Sequence, residues 1–210
     1  MANLTDLTSK EFLTELASAA PAPGGGGGAA MAGALAAALS SMVCNLTLGK
    51  EKFAAQAAEV ESVLVKAERA RERLLELVQE DAAVFNSFMS CYKLPKATDE
   101  EKVARTAAIR AAAKKAAEVP LAIARESFAV LELADELVVC GNPGVITDGA
   151  CSGLLARAAL RCAEYNVRIN LGLTKDAEWN AQVHAELEAM LTQAEALEAK
   201  LLAVTDKALA

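Results

Sequence analysis

The sequence predicts an all-α protein, a single helical-bundle domain with long helices spanning residues 1–210. Hydrophobic residues make up 54% of the chain and aromatic residues only 4%, and much of the apolar content is alanine. Alternating apolar and polar residues, the mark of a half-buried strand, are rare. Glycine and proline cluster in two places, Pro21–Gly28 and Gly141–Gly149. We therefore expect helices that pack closely through small side chains.

The first two helices are delimited by local signals. Residues Thr8 to Glu11 have the form of a capping box, which opens a helix that Pro21 ends. A second helix starts at the glycine run Gly24–Gly28 and extends to about Leu48. Small residues recur on it four positions apart, so that a neighbouring backbone can approach closely along the face of Ala29, Gly33 and Ala37.

The third and fourth helical elements are long. An apolar seam predicts helix from about Lys50 to Tyr92, which would reach ~60 Å at 1.5 Å per residue. We expect this element to be bent, broken or shared with a partner subunit. The seam comprises Phe53, Ala57, Val60, Leu64, Ala67, Leu74, Val78, Phe85, Phe88 and Tyr92. A second capping box at Thr98 opens the stretch to Val138, and Pro120 predicts that this stretch is two helices or one kinked helix.

Two further helices follow the second glycine-rich loop. The pattern predicts one from about Ala150 to Tyr165 and a last amphipathic helix from about Asp176 to Thr205.

Charge and composition exclude several classes of function. The net charge is −7, with 21 basic residues scattered among 28 acidic ones, which argues against nucleic acid as a partner. Five cysteines without close pairs and one histidine, His184, favour neither a disulfide framework nor a metal site. We expect no metal and no redox cofactor, a reducing cytoplasmic location, and acid/base chemistry that falls mainly on carboxylates and lysines.

The segment from Ala17 to Gly49 carries no charge and is long enough to raise the question of a membrane span. Polar residues interrupt it, namely Ser40, Ser41, Asn45 and Thr47, and no basic stretch precedes it as in a secretory signal. A helix buried in a soluble oligomer is the better account, and we expect no membrane partner.

Asp81 is the most informative residue, because it continues the apolar seam between Val78 and Phe85. A carboxylate among apolar side chains needs a partner, or its pKa rises until it is neutral. General acid/base catalysis uses carboxylates tuned in this way. The alternative is a buried ion pair, with Arg71 of the same seam or with a lysine of another helix.

The run Gly24–Gly28 leads directly into a helix. Amides at a helix N-terminus attract carboxylate, carbonyl or phosphate groups, and glycine leaves the approach open. A flexible hinge is an equal alternative.

Lys50 lies at a helix junction, where an ordinary solvated lysine is the default interpretation. Asn142 and Asp148 belong to the second loop, in which Asp148 has the alternative role of capping the next helix. Lys93 belongs to a basic cluster that suits an acidic ligand or a solvated face.

Four stretches, in this order, resemble the cyclodeaminase/cyclohydrolase family, which includes the C-terminal domain of formiminotransferase-cyclodeaminase and bacterial methenyltetrahydrofolate cyclohydrolases. They are Pro21–Gly26 with the following helix to Lys50, Asp81–Phe85, Tyr92–Lys96 with Thr98–Arg105, and Gly141–Asp148 continuing to Asn166–Leu171. They span nearly the whole chain. The resemblance implies an all-α intertwined homodimer with a folate site between subunits. One departure is Gly27, where the family usually has serine.

The resemblance implies that Asp81 is catalytic and that Lys50 belongs to the site. Our hypothesis for Lys50 is that its positive charge tunes the Asp81 carboxylate. Gly24, Gly25, Gly26, Lys93, Asn142 and Asp148 are then candidate substrate-binding residues. The expected activity is that of a methenyltetrahydrofolate cyclohydrolase, which interconverts 5,10-methenyl- and 10-formyl-tetrahydrofolate, with folate as substrate and not as cofactor. The alternatives are a formimidoyltetrahydrofolate cyclodeaminase that releases ammonia, and a non-catalytic folate-binding or scaffold dimer. We favour the cyclohydrolase because no formiminotransferase is attached to this chain.

Overall fold

Long α-helices account for most of the fold. The computed structural model describes residues 3–210, and no β-strand occurs in that range. In chain order the helices are α1 (Ser9–Leu16), α2 (Gly24–Asn45), α3 (Ala57–Cys91), α4 (Asp99–Cys140), α5 (Ile146–Thr174) and α6 (Ala177–Leu209). Short 3-10 helices lie at Leu4–Asp6, Glu51–Gln56 and Pro143–Val145. The predicted all-α class is confirmed.

Both predicted capping boxes are present. Thr8 accepts a hydrogen bond from the backbone N–H of Glu11, whose side chain accepts from Thr8 in return. Thr98 and Glu101 make the same reciprocal pair at the start of α4. Each box satisfies amides that the first helical turn leaves without intrahelical partners, so these two boundaries are set by local sequence.

Helix α2 lies in the middle of the bundle and packs on α3, α4 and α5. The small face predicted for it is buried, and a Cβ added at Gly33 would lie 2.9 Å from Ser127 Oγ of α4 and 3.1 Å from Leu74 of α3. Glycine is therefore required there for close packing of three helices. Although α2 is long and apolar enough to cross a membrane, 61% of its most apolar window is buried within the fold.

Helices α3 and α5 both run antiparallel to α2. The start of α2 faces the second half of α3, since Gly26 contacts Asp81, while Val43 near its end packs with Val60 at the start of α3. On α5, Ser152 bonds to Ser40 (2.8 Å) and to the carbonyl of Ala36 (2.7 Å). The bundle therefore has two ends, one at the start of α2 and one at its C-terminus.

The third element is broken near its start, one of the predicted alternatives, because the 3-10 segment Glu51–Gln56 precedes α3. Both predicted boundaries of α5 were wrong. Helix α5 begins at Ile146 instead of Ala150 and ends at Thr174 instead of Tyr165. The stretch around Pro120 is one helix and not two, and the proline lies inside α4.

Candidate active site

A cleft of about 240 Å³ opens at the end of the bundle where α2 begins. Four helices and one connection form its walls: the first turn of α2, the second half of α3, one position of α4, the last turns of α5, and the α1–α2 connection. The lining residues are Pro21, Ala22, Pro23, Gly24, Gly25, Gly26, Asp81, Val84, Phe85, Phe88, Ala116, Asn166, Ile169, Asn170 and Leu173. The predicted glycine run and the predicted carboxylate therefore share one site.

The glycine run gives the cleft a backbone wall. Gly24 has φ +58°, a left-handed backbone conformation that residues other than glycine rarely adopt. The first hydrogen bond of α2 runs from the N–H of Gly27 to the carbonyl of Pro23 (3.1 Å). The N–H groups of Gly24, Gly25 and Gly26 precede this ladder, so they are the donors that the start of α2 provides to the cleft. The run is ordered helix and not the hinge considered above.

Asp81 lies directly against this wall. A Cβ at Gly26 would lie 2.5 Å from each Asp81 carboxylate oxygen, so only glycine fits beside the carboxylate. Burial raises the Asp81 pKa from its usual value of 3.8 to about 6, and the backbone N–H of Gly27 partly offsets that rise. The alternative of an ion pair between Asp81 and Arg71 is wrong, since Arg71 pairs with Glu68 at 2.6 Å. No ion pair to Asp81 occurs within residues 3–210.

The remaining walls are apolar apart from two amides. Phe85 and Phe88 lie on the face of α3 that continues from Asp81, and Phe88 stacks edge-on against Tyr92 with ring centroids 5.3 Å apart. From α5, Asn166 and Asn170 contribute amides one helical turn apart. The cleft thus combines flat apolar surfaces with a few oriented polar groups, as small-molecule sites commonly do.

Three of the predicted site residues lie at the other end of the bundle. Lys50 is exposed just beyond α2, and the 22-residue α2 is about 33 Å long. Asn142 belongs to this end as well, because its side-chain N–H donates to Leu46 O (3.0 Å). Asp148 is half-buried in the first turn of α5, which begins at Ile146, so its alternative role as the capping residue is wrong.

The contacts of Asn142 hold the second glycine-rich loop in place. Its backbone N–H donates to Thr47 Oγ1 (2.9 Å), and its side-chain oxygen accepts from the N–H of Gly144 (3.0 Å). These bonds fix the loop on the C-terminal end of α2. Within one chain, Lys50, Asn142 and Asp148 therefore do not meet Asp81, and their roles stay predictions.

Lys93 is exposed two residues beyond the end of α3, on the same end of the bundle as the cleft. It is not among the residues that line the cleft. Twelve positions separate it from Asp81, which is about 18 Å along a helix. Any contact with a ligand would therefore involve a part that extends out of the cleft.

The sequence pattern did not identify the two amides of α5 as residues that line the cleft. Asn166 and Asn170 were noticed only within a stretch of family resemblance, and polar residues on a helix are normally solvated. A usable signal was their spacing of four, which places both on one face of α5. Within residues 3–210, no group of three or more His, Cys, Asp or Glu side chains is arranged to hold a metal ion.

The protein is an all-helical domain with a largely apolar cleft, in which a half-buried carboxylate has a raised pKa. The family model of formiminotransferase-cyclodeaminase matches residues 8–189, and this chain belongs to that family. The carboxylate and the glycine wall lie within the matched range.

Individual relatives agree with this assignment. The chain is 44% identical over 194 residues to a methenyltetrahydrofolate cyclohydrolase of Methylorubrum extorquens, with 92% of this chain and 93% of that protein covered. It is 33% identical to the formimidoyltransferase-cyclodeaminase of Sus scrofa, of which it spans only 36%. A crystal structure of formiminotetrahydrofolate cyclodeaminase from Thermotoga maritima superposes with a TM-score of 0.88 at 28% identity, covering 99% of this chain and all of that one.

Proposed function

We propose that this chain is a cytoplasmic methenyltetrahydrofolate cyclohydrolase. The proposal rests on one observation. Asp81, whose pKa is raised to about 6, lies against the N-terminal amides of α2 in a largely apolar cleft. The similarity to the methenyltetrahydrofolate cyclohydrolase of Methylorubrum extorquens extends over nearly all of both chains. A carboxylate with this pKa can accept and return a proton near neutral pH, which general acid/base catalysis requires.

The proposed reaction needs one proton shuttle. Ionised Asp81 accepts a proton from a water molecule while the oxygen of that water attacks the methenyl carbon. Asp81 then returns this proton to the pterin nitrogen N5 as the bond between that nitrogen and the carbon breaks. The hydroxyl left on the carbon loses its proton to solvent and becomes the formyl carbonyl of 10-formyl-tetrahydrofolate. We expect the N–H groups of Gly24, Gly25 and Gly26 to donate hydrogen bonds to the new oxygen as it loses its last proton and becomes the carbonyl.

A second candidate reaction is formimidoyltetrahydrofolate cyclodeamination. The full-length similarity to the Thermotoga maritima cyclodeaminase supports it, and the same carboxylate would protonate the amino group that leaves as ammonia. The third possibility, a non-catalytic folate-binding or scaffold dimer, gives no reason for a half-buried carboxylate packed against glycine. The cyclohydrolase is preferred because the relative with the higher identity bears that name.

The test is the ultraviolet absorbance of 5,10-methenyltetrahydrofolate mixed with purified protein. We expect rapid loss of the methenyl band with the wild type and a loss at least about 100-fold slower with Asp81→Asn. If the wild type leaves the band unchanged, the cyclohydrolase proposal fails. Ammonia release from formimino-tetrahydrofolate then tests the second candidate. Failure of both reactions, with retained folate binding, would support the binding module.

We further propose that the working unit is a homodimer formed through α2 and α5. Both helices carry large apolar side chains that the single chain leaves exposed, among them Leu35 (55%), Met42 (37%), Leu154 (42%), Tyr165 (57%) and Ile169 (71%). Because α2 and α5 are antiparallel neighbours, these residues lie on adjoining helices. Exposed apolar surface of this kind typically marks an interface.

Two-fold symmetry would also complete the site. A two-fold axis perpendicular to α2 near its middle reverses the helix of the second copy. The Lys50 end of one chain then lies beside the Asp81 end of the other. This arrangement would bring Lys50, Asn142 and Asp148 to the cleft, as the family resemblance implies.

Subunit complementation tests this arrangement. Asp81→Asn and Lys50→Ala chains are co-expressed with different tags, and the mixed dimer is purified. Half of its sites combine the two wild-type residues, so we expect about half of the wild-type activity per dimer, whereas each single-variant homodimer is nearly inactive. A mixed dimer of Asp81→Asn with Asp81→Ala is the matched control. Mixed dimers no more active than that control would contradict a site shared between subunits.

A further inference from the structure

Asn170 presents an oriented amide to the cleft. Its Nδ2 group donates two hydrogen bonds, to the carbonyl of Ala116 on α4 (3.0 Å) and to the carbonyl of Asn166 one turn earlier on α5 (2.9 Å). Carbonyl oxygens only accept, so both contacts require the NH₂ side of the amide. The Oδ1 atom must therefore face away from these two carbonyls. Among the described residues, no hydrogen bond to this oxygen occurs.

The proline inside α4 explains why the Ala116 carbonyl is available. In a regular helix the carbonyl of residue 116 accepts from the N–H of residue 120. Residue 120 is Pro120, which has no N–H and is buried within the helix. The carbonyl of Ala116 accordingly turns to the side-chain amide of Asn170. Pro120 and Asn170 thus form a unit across α4 and α5, although 50 positions separate them in the sequence.

We propose that Asn170 is a substrate-binding residue whose Oδ1 accepts a hydrogen bond from an N–H group of the reduced pterin ring, and that Pro120 is a positioning residue for it. This inference rests on the proposed folate chemistry. A reduced pterin has N–H donors at its 2-amino group, N3 and N8, so a fixed acceptor on the wall suits its edge. Phe85 and Phe88 supply apolar surface in the same cleft for the ring.

Fixing the amide has a consequence for specificity. A free asparagine side chain can rotate and offer either its oxygen or its nitrogen, whereas Asn170 can offer only its oxygen. A ring edge that carries acceptors in place of donors would leave this oxygen unpaired and would be rejected. The site is therefore built to select the donor-rich edge of the pterin.

Binding of 5-formyl-tetrahydrofolate, a non-reacting reduced folate, tests the proposal by calorimetry. Asn170→Leu should raise the Kd about tenfold, as expected for loss of one hydrogen bond in a desolvated site. Gln182→Leu, an exposed amide on α6, is the matched control and should leave the Kd unchanged. Circular dichroism and the Tm establish that each variant is folded.

A double variant separates binding from structure. Asn170→Leu also removes the partner of the Ala116 carbonyl, and that alone could distort the cleft. In Pro120→Ala/Asn170→Leu, the restored N–H of residue 120 satisfies this carbonyl, while the Oδ1 acceptor is still missing. We expect the Kd to stay about tenfold weaker than that of the wild type although the Tm recovers. Pro120→Ala alone should raise the Tm and weaken binding by about threefold, because Ala116 no longer needs Asn170.

The outcomes are distinct. Wild-type affinity in Asn170→Leu, or affinity restored in the double variant, would overturn the proposal, as would a wild-type protein that binds no reduced folate. A wild type that binds 5-formyl-tetrahydrofolate in the predicted Asn170-dependent way, yet consumes neither methenyl- nor formimino-tetrahydrofolate, would support Asn170 as the pterin contact and refute the proposed activity.

Discussion

The carboxylate of Asp81 and the backbone of Gly26 are in direct contact, and a Cβ on residue 26 would lie 2.5 Å from both carboxylate oxygens. This contact joins α3, which carries Asp81, to the first turn of α2, which contains Gly26. The carboxylate therefore lies beside the N–H groups at the start of α2, where the proposed proton transfer requires it.

Gly26→Ala should therefore abolish most of the activity. The added methyl group displaces Asp81 by an ångström or more, and misplacement on this scale costs on the order of 100-fold in rate. The measurement is kcat/KM for loss of the methenyl band. Gly28→Ala is the matched control, because the nearest atom to its Cβ is Leu16 Cδ2 at 4.0 Å. Equal activities of the two variants would show that the contact with Asp81 does not matter for the reaction.

Asp81→Asn should stabilise the protein at neutral pH. Burial raises the folded-state pKa of Asp81 from 3.8 to about 6, so the folded protein binds more protons than the unfolded chain between these values. The free energy of unfolding of the wild type then falls as pH rises through this window and levels off above it. The neutral amide avoids this loss, which amounts to about 3 kcal/mol at most.

Urea denaturation at pH 4 and at pH 7.5 measures the effect. The stability gained by Asp81→Asn should be small at pH 4 and should approach its full size at pH 7.5. Asp6→Asn, at an exposed carboxylate, serves as the control and should show no such growth. A gain for Asp81→Asn that is independent of pH would mean that burial does not raise the Asp81 pKa.

The pH dependence of hydrolysis should report the same group. Ionised Asp81 is the form that accepts a proton from water, so kcat/KM should fall tenfold per pH unit below about pH 6 and be flat above it. The residual kcat/KM of Asp81→Asn should not show this fall at low pH. A profile that instead declines above pH 6 would identify protonated Asp81 as the active form and assign it the role of general acid.

The sequence predicted the parts of this fold that depend on local chemistry. Two capping boxes and the seam through Asp81 follow from residues close together in the chain, and the structure bears them out. The errors at α5 have a different origin. Gly149 suggested a loop, but it is a helical residue whose Cβ would lie 3.1 Å from Val138 Cγ1, so it is glycine for close packing with α4.

Tertiary arrangement accounts for what the sequence did not predict. The sequence pattern did not predict helix beyond Tyr165, because Asn166 and Asn170 interrupt the apolar face of α5. These two residues line the cleft instead of the core. Pro120 left open whether its stretch is two helices or one kinked helix. The stretch is one helix, in which an amide from α5 takes over the carbonyl bond that the proline cannot make. No periodicity within one helix encodes a partner on another.

Gly27 occupies the position at which the family resemblance led us to expect serine. A Cβ there would lie 2.8 Å from the Cβ of Pro23, and residue 27 is buried. A ring carbon cannot move aside as a flexible side chain can, so a serine at this position would displace the first turn of α2. Gly27→Ser should lower the free energy of unfolding by about 1–3 kcal/mol, as overpacking does.

Gly28→Ser provides the comparison, since that position is open and serine is a slightly better helix former than glycine, so its stability should be unchanged or higher. A double-mutant cycle with Pro23→Gly then isolates the cause. Removal of the Pro23 Cβ should make Gly27→Ser nearly neutral in that background. If Gly27→Ser is as destabilising with Pro23→Gly as without it, the clash with Pro23 is not what keeps glycine at position 27.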